Sequence, residues 1–359
     1  MQIGIVGLPF SGKTTLFSTL LKHKSQDAVG KMSAERGVVK VPDERLDKLT
    51  EMFNPKKKVN ATIEYLKVPG LEGESAGTRG LPPQFLANLK TVDALLVMVR
   101  AFENEYYPHP LNRVDPKADI EFINAEFLLS DLGIVETRHE KLKKLVNKTQ
   151  DEKDRRELAL FEKLKEQLEN EKPLREMDFD EHESLILKGY QFLTAKPVLY
   201  VLNIEESQIP NAEEIEREFT AYTGKNAAVT SLSAEIEKEI SELEEEDAKV
   251  FMEDLGIKEP ALHKLIRKSY ELLGLISFFT VGEDECRSWP IRKGTNAQKA
   301  AGVIHTDLEK GFIRAETVHY DDLIRLGSMA ACKEQGLLRL EGKDYIVKDG
   351  DILNIRFNV

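Results

Sequence analysis

The chain has 359 residues, 41% of them hydrophobic, with 51 basic against 63 acidic side chains and a net charge of −12. That length predicts two or three domains with real cores, and the acidic balance argues against nucleic-acid binding through the average field, though not against a local basic patch. The two cysteines, Cys286 and Cys332, have no metal-ligand spacing and read as a reducing compartment; the opening residues read as a strand rather than a signal peptide and no apolar run is long enough to cross a bilayer, so a cytoplasmic protein is expected.

Ile3, Ile5 and Val6 predict a short buried strand at the start of the chain. Gly7-Leu8-Pro9-Phe10-Ser11-Gly12-Lys13-Thr14 follows as G-x-x-x-x-G-K-T, then Thr15, then Leu16, Leu20 and Leu21 at helical spacing. Strand, loop and helix in this order form a phosphate cradle. Backbone N–H groups wrap the phosphates, and the helix aims its positive end at them. Lys13 reaches the outer phosphates, and Thr14 offers a hydroxyl to Mg²⁺. The pattern points to phosphate binding but names neither the nucleotide nor turnover.

Two apolar runs, Ala94 to Val99 and Pro197 to Leu202, read as buried parallel strands. Ligands of open α/β sheets sit at the carboxyl ends of strands, so the Gly7 loop, Arg100 and Asn203 are expected to share a crevice. Residues 117–190 read as an inserted helical hairpin. Leu128, Leu132, Val135, His139, Leu142 and Val146 step by four and three along one arm, and Phe161, Leu164 and Leu168 continue on the second. The charged stretch Asn147 to Arg156 is the turn, and His139 reads as a packed or tip-exposed side chain. Residues 206–256 carry acidic, solvated helices, and 263–276 reads as an amphipathic helix. From Phe278 a strand, frequent glycines, the Asp349-Gly350-Asp351 turn and an alternating strand at 352–357 predict a compact mixed β domain of the binding-module type.

Several segments together resemble the YchF subfamily of Obg-like P-loop ATPases. They are the Gly7–Thr15 loop, Pro42-Asp43-Glu44-Arg45-Leu46, Gln84-Phe85-Leu86-Ala87-Asn88 and Val99-Arg100-Ala101-Phe102. Thr194 to Tyr200, Ser231 to Glu237, Gly302 to Asp307 and Leu340 to Tyr345 extend the likeness to the whole chain. The resemblance implies an α/β Ras-like P-loop nucleotide-binding domain at 1–116 and 191–277. It also implies a coiled-coil insertion at 117–190 and a C-terminal mixed β TGS, ubiquitin-like domain at 278–359. With these come ATP preferred over GTP and association with ribosomes or ribosomal RNA; nothing in the sequence demands more than a monomer, and no membrane partner is expected. Guanine-specific relatives use Asn-Lys-x-Asp. Here Asn203-Ile204-Glu205-Glu206 lengthens the acid and removes the lysine, which spoils the fork to guanine. Ser233, Ala234 and Glu235 match the last nucleotide motif.

The chain also departs from the family. Lys67-Val68-Pro69-Gly70-Leu71 stands where the family has Asp-x-Ala-Gly-Leu, so a lysine replaces the acid of the Mg²⁺ shell. Lys67 either pairs with phosphates or points away. Lys31 to Arg36 replaces the family's Thr-Ile-Glu-Pro-Asn stretch, with Ser33 as a weak stand-in for its threonine. Phe10 replaces an asparagine, and the stretch Glu72 to Gly80 is altered. Leu71 leaves no glutamine to position water. His109, in Tyr106-Tyr107-Pro108-His109-Pro110, matches a histidine implicated in the family. It either swings in to orient water or is a surface-loop residue. Arg287, Trp289, Arg292, Lys293, Lys299 and Arg314 suit RNA contacts, or are surface charges around a half-buried tryptophan. Lys56, Lys57 and Lys58 read as a solvated turn or a contact to ribosomal RNA. Two functions remain open: a nucleotide-dependent ATPase switch using Lys13 and His109, and a nucleotide-sensing adaptor that hydrolyses little because of Lys67. A GTP-specific switch is disfavoured by Glu206.

Overall fold

The computed structural model describes residues 1–21, 35–68, 82–149 and 151–358. The chain divides into two compact units, Met1–Gly37 with Glu64–Leu265, and Val38–Ile63 with Ile266–Val359.

The first unit is built on β1 (Gln2–Val6), β2 (Glu35–Lys40), β4 (Thr62–Lys67), β5 (Ala94–Ala101), β6 (Val198–Ile204) and β7 (Ala227–Leu232), in the order β2-β4-β1-β5-β6-β7. From β4 through β7 neighbours in this order run parallel. The carboxyl ends of β1, β5, β6 and β7 therefore share one edge, where such sheets hold their ligands. The register sets Ile5 beside Lys67 and Arg100 beside Asn203. β5 and β6 are buried almost throughout, as strands covered on both faces must be.

The helix Pro116–Thr149 is 34 residues long, roughly 50 Å at 1.5 Å per residue. Its first turns belong to the sheet: Ile120, Ile123 and Phe127 pack with Val97, Val99 and Leu202. Farther along, Val135 and Leu142 pack against Leu160, Phe161, Leu164 and Leu168 of the returning helix Glu152–Glu169. The hairpin boundary at 117 thus falls inside a helix whose first turns complete the nucleotide core. Asp131 fixes the base of the arm. It is fully buried and accepts from Leu193 N, Thr194 N and Thr194 Oγ1 at 3.0, 2.7 and 2.7 Å. His139 packs on the arm with Nε2 3.7 Å from Glu162.

The second unit holds β3 (Lys57–Val59), β8 (Leu275–Thr280), β9 (Glu285–Arg292), β10 (Phe312–His319), β11 (Arg339–Glu341) and β12 (Asp351–Phe357), in the order β11-β10-β12-β8-β9-β3. Alternation along the strands splits its core in two. Phe279 and Ile352 face Leu46, Leu49, Leu323 and Cys332, while Phe278 and Leu353 face Trp289, Ala297 and Ala300.

Four expectations change here. Val38–Ile63 group with the C-terminal unit, although 38–40 and 62–63 are the ends of β2 and β4, whereas the expected nucleotide domain ran through 1–116. β3 pairs with β9, and the helix Glu44–Phe53, capped by Asp43, buries Leu46 and Leu49 in the C-terminal core. Arg45 of that helix bridges Asp43 and Asp349 at 2.9 and 2.7 Å. Lys57 and Lys58 lie in β3 rather than in a turn; Lys56 pairs with Asp284 at 2.7 Å and Lys58 with Asp47. The helix expected over 263–276 runs Ala261–Leu272, and Ile276 falls in β8 after Gly274 turns the chain in the left-handed region. Trp289 is buried rather than half-buried: its Nε1 donates to Thr280 Oγ1 at 2.9 Å, and Arg287 covers its ring at 4.0 Å.

Candidate nucleotide site

Gly7 leaves β1 at φ +156° and Gly12 precedes the helix Lys13–Leu20 at φ +98°. Both positions exclude a Cβ on space as well as on backbone. One at Gly7 would lie 2.3 Å from Met98 O, and one at Gly12 would lie 2.3 Å from Asn203 Nδ2. The loop therefore rests directly on β5 and β6. Leu8 is buried in the sheet core and Ser11 is buried, while Pro9 is half-exposed. Phe10 also takes a positive φ, 60°, and its side chain is 53% exposed, with its ring 5.5 Å from that of Tyr107.

Lys13 is buried and folds back over the loop, donating to Gly7 O at 3.0 Å and Leu8 O at 2.7 Å. Its ammonium is thus held on the carbonyl side of the loop, at the head of a helix whose first N–H groups have no intrahelical partner. Thr14 is exposed in the first turn, and Thr15 is half-exposed beside it.

Asn203, at the end of β6, is the clamp of the site. Its Nδ2 donates to Ser11 O at 3.1 Å, and its Oδ1 accepts from Ala234 N at 2.9 Å. One buried amide thereby joins the Gly7 loop to the loop after β7. Ser233 and Ala234 are buried at the start of the helix Ala234–Glu242, and Glu235 is exposed in its first turn. Ile204 packs into the sheet core and offers no side chain to a base. Glu206 is exposed at the start of a short 3₁₀ segment. The sequence-expected residues thus come to one edge of the sheet, with Asn203 serving as a tie rather than as a free base contact.

His109 is buried rather than exposed on its loop. Its Nε2 lies 2.8 Å from Asp119 Oδ2. Leu111 N–H donates to its Nδ1 at 3.2 Å, which makes Nε2 the donor to Asp119. Burial pushes the Asp119 carboxyl above its ordinary range, against the opposing pull of His109 and Arg113. Arg100 braces the same loop from β5, donating from Nε to Phe102 O at 2.9 Å and from Nη1 to Tyr107 O at 2.7 Å. Sequence reasoning missed Asp119, Met98 and Tyr107. Asp119 had a signal: Asp115-Pro116 starts a helix and sets Asp119 in its first turn.

Lys67 is paired within the sheet edge rather than left bare. Its Nζ is 3.1 Å from Glu35 Oε1 and 5.6 Å from the centre of the Phe17 ring. Ser33, Leu71 and the 72–80 stretch lie outside the described residues. Among the described residues no group of three or more His, Cys, Asp or Glu side chains could hold a metal. Thr14 supplies a single hydroxyl, and Lys67 brings an ammonium to the neighbouring strand end. Among the described residues around the loop, this donor set by itself does not hold a divalent ion. Among the described residues no helix is long and apolar enough to cross a membrane.

A glycine-turned loop between a parallel strand and a helix, tied down from the next strand ends, defines a P-loop nucleotide-binding domain. The family model of the 50S ribosome-binding GTPase (MMR_HSR1) matches residues 2–203, and that of the YchF GTPase C-terminal domain (YchF-GTPase_C, DUF933) matches 275–358. The chain is 44% identical to the ribosome-binding ATPase YchF of Bacillus subtilis, over 100% of both chains. It is 41% identical to that of Escherichia coli O157:H7, over 100% of this chain and 99% of the relative. The solved YchF GTPase of Schizosaccharomyces pombe superposes with a TM-score of 0.87 at 35% identity, covering 99% of this chain and 97% of that one. The chain belongs to the YchF family.

Proposed function

We propose that the chain is a nucleotide-dependent switch that binds a purine nucleoside triphosphate at the Gly7–Thr15 loop, prefers ATP to GTP, and couples its nucleotide state to association with the ribosome. The tie from Asn203 to both Ser11 and Ala234 carries the reading, because it joins the phosphate loop to the loop that would meet the base. Lys13 and the amides of the loop neutralise the phosphate charge. The core position of Ile204 supports ATP preference, since no side chain there packs over a guanine, and Glu206 is a methylene too long for the guanine fork. The ribosome enters through the relatives, which are named ribosome-binding ATPases.

If the terminal anhydride is cleaved, water attacks the outer phosphorus and the bond to the bridging oxygen breaks, leaving the nucleoside diphosphate and inorganic phosphate, with the water's proton released. His109 is the candidate to orient that water, and it must first leave Asp119 to do so. A second reading, an adaptor that binds without turnover, draws on Lys67 paired to Glu35 where a metal-holding acid would serve catalysis. ATP and GTP affinities with single-turnover cleavage separate them. Tight ATP binding with measurable cleavage supports the switch. Tight binding with no cleavage supports the adaptor, and GTP bound in preference to ATP overturns the base argument.

A further inference from the structure

Lys67 ends β4 beside Ile5, two residues before Gly7 opens the phosphate loop. Its side chain is 16% exposed and is held between Glu35 and the Phe17 ring. Phe17 follows Thr14 by three and Lys13 by four on one helix, so the three share a face within about one 5.4 Å turn. A cation therefore stands one helical turn from the hydroxyl of the metal-binding pattern. An ammonium has three donors and no acceptor, so it binds phosphate oxygens and repels a divalent ion. Glu35 is 39% exposed, and a pair open to water on one side is weakly held and exchanges partners readily.

We propose that Lys67 supplies the positive charge that a divalent ion supplies at loops of this kind, so that the site takes its nucleoside triphosphate as the metal-free anion, Glu35 holding the ammonium until the phosphates displace it. This rests on the nucleotide reading above. The test is calorimetric titration of the full chain with ATP in excess magnesium and in EDTA. Wild-type affinity in EDTA is expected within about threefold of that in magnesium. Lys67→Met is expected to lose about tenfold in EDTA, and Lys67→Asp to bind about tenfold more tightly with magnesium than without. Glu35→Gln, a change at a half-exposed carboxylate, frees the ammonium and is expected to tighten metal-free binding; weaker binding overturns the proposal even if the Lys67 variants do not fold. A wild-type loss of tenfold or more in EDTA also overturns it. Failure of wild type to bind ATP in either buffer overturns the nucleotide reading itself.

Discussion

Replacing Asn203 by alanine tests whether one amide organises the site. The side chain is 5% exposed and makes two hydrogen bonds, to Ser11 O at 3.1 Å and from Ala234 N at 2.9 Å. Alanine removes both and leaves a buried N–H and a carbonyl with that partner gone, a cost of about 2–4 kcal/mol when lost bonds and desolvated groups are combined. The cost is local, because the tie joins two loops at the sheet edge and not the strands beneath them. Local opening free energies are read by amide hydrogen exchange, and 2–4 kcal/mol corresponds to roughly 30- to 1,000-fold faster exchange. The acceleration is expected in Ser11–Thr15 and Ser233–Ile236, with the arm around Val135 and Leu142 unchanged as an internal control. Exchange within about threefold of wild type in both loops would refute the clamp.

Three other outcomes follow from the same geometry. Gly12→Ala places a Cβ 2.3 Å from Asn203 Nδ2 at φ +98°, so it should cost about 1–3 kcal/mol of stability and weaken ATP binding at least about tenfold in calorimetry. Leu46→Ala, in the second unit's core, should cost about 2–5 kcal/mol and speed proteolysis within 266–359; an unchanged cleavage pattern would detach residues 38–63 from that unit. Glu237, buried and accepting from Ala261 N and Leu262 N, is held above the ordinary carboxylate value of 4.5 by desolvation, against those hydrogen bonds. A raised folded-state value means the folded chain binds more protons than the unfolded one in the window above 4.5, so this group's contribution grows as pH falls. The melting temperature of wild type relative to Glu237→Gln should therefore rise from pH 7 toward pH 5, and a falling difference would contradict the argument.

The glycine loop was legible because its chemistry is local: two glycines, a lysine and a threonine need only a strand before them and a helix after. The runs at 94–99 and 197–202 were legible because strands buried on both faces must be apolar throughout. The boundary of the arm was not, because Ile120, Ile123 and Phe127 continue the same helical period as Leu128 and Val135 while packing against a different element. Residues 38–63 were misplaced for a similar reason. The helix Glu44–Phe53 is amphipathic, but periodicity does not say which core receives its face. His109 read as either a swinging or a surface residue because its loop is flanked by prolines; its burial depends on Asp119, ten residues on and across a helix start, and on the Arg100 brace from β5.

The central claim is that the amides from Leu8 to Thr15 grip a triphosphate. Hydrogen exchange of those amides with and without a non-hydrolysable ATP analogue tests it directly. Slowed exchange confined to that loop and to Ser233–Glu235 is the predicted result. Unchanged exchange in the loop at a saturating concentration of analogue, or protection appearing only elsewhere in the chain, would contradict it.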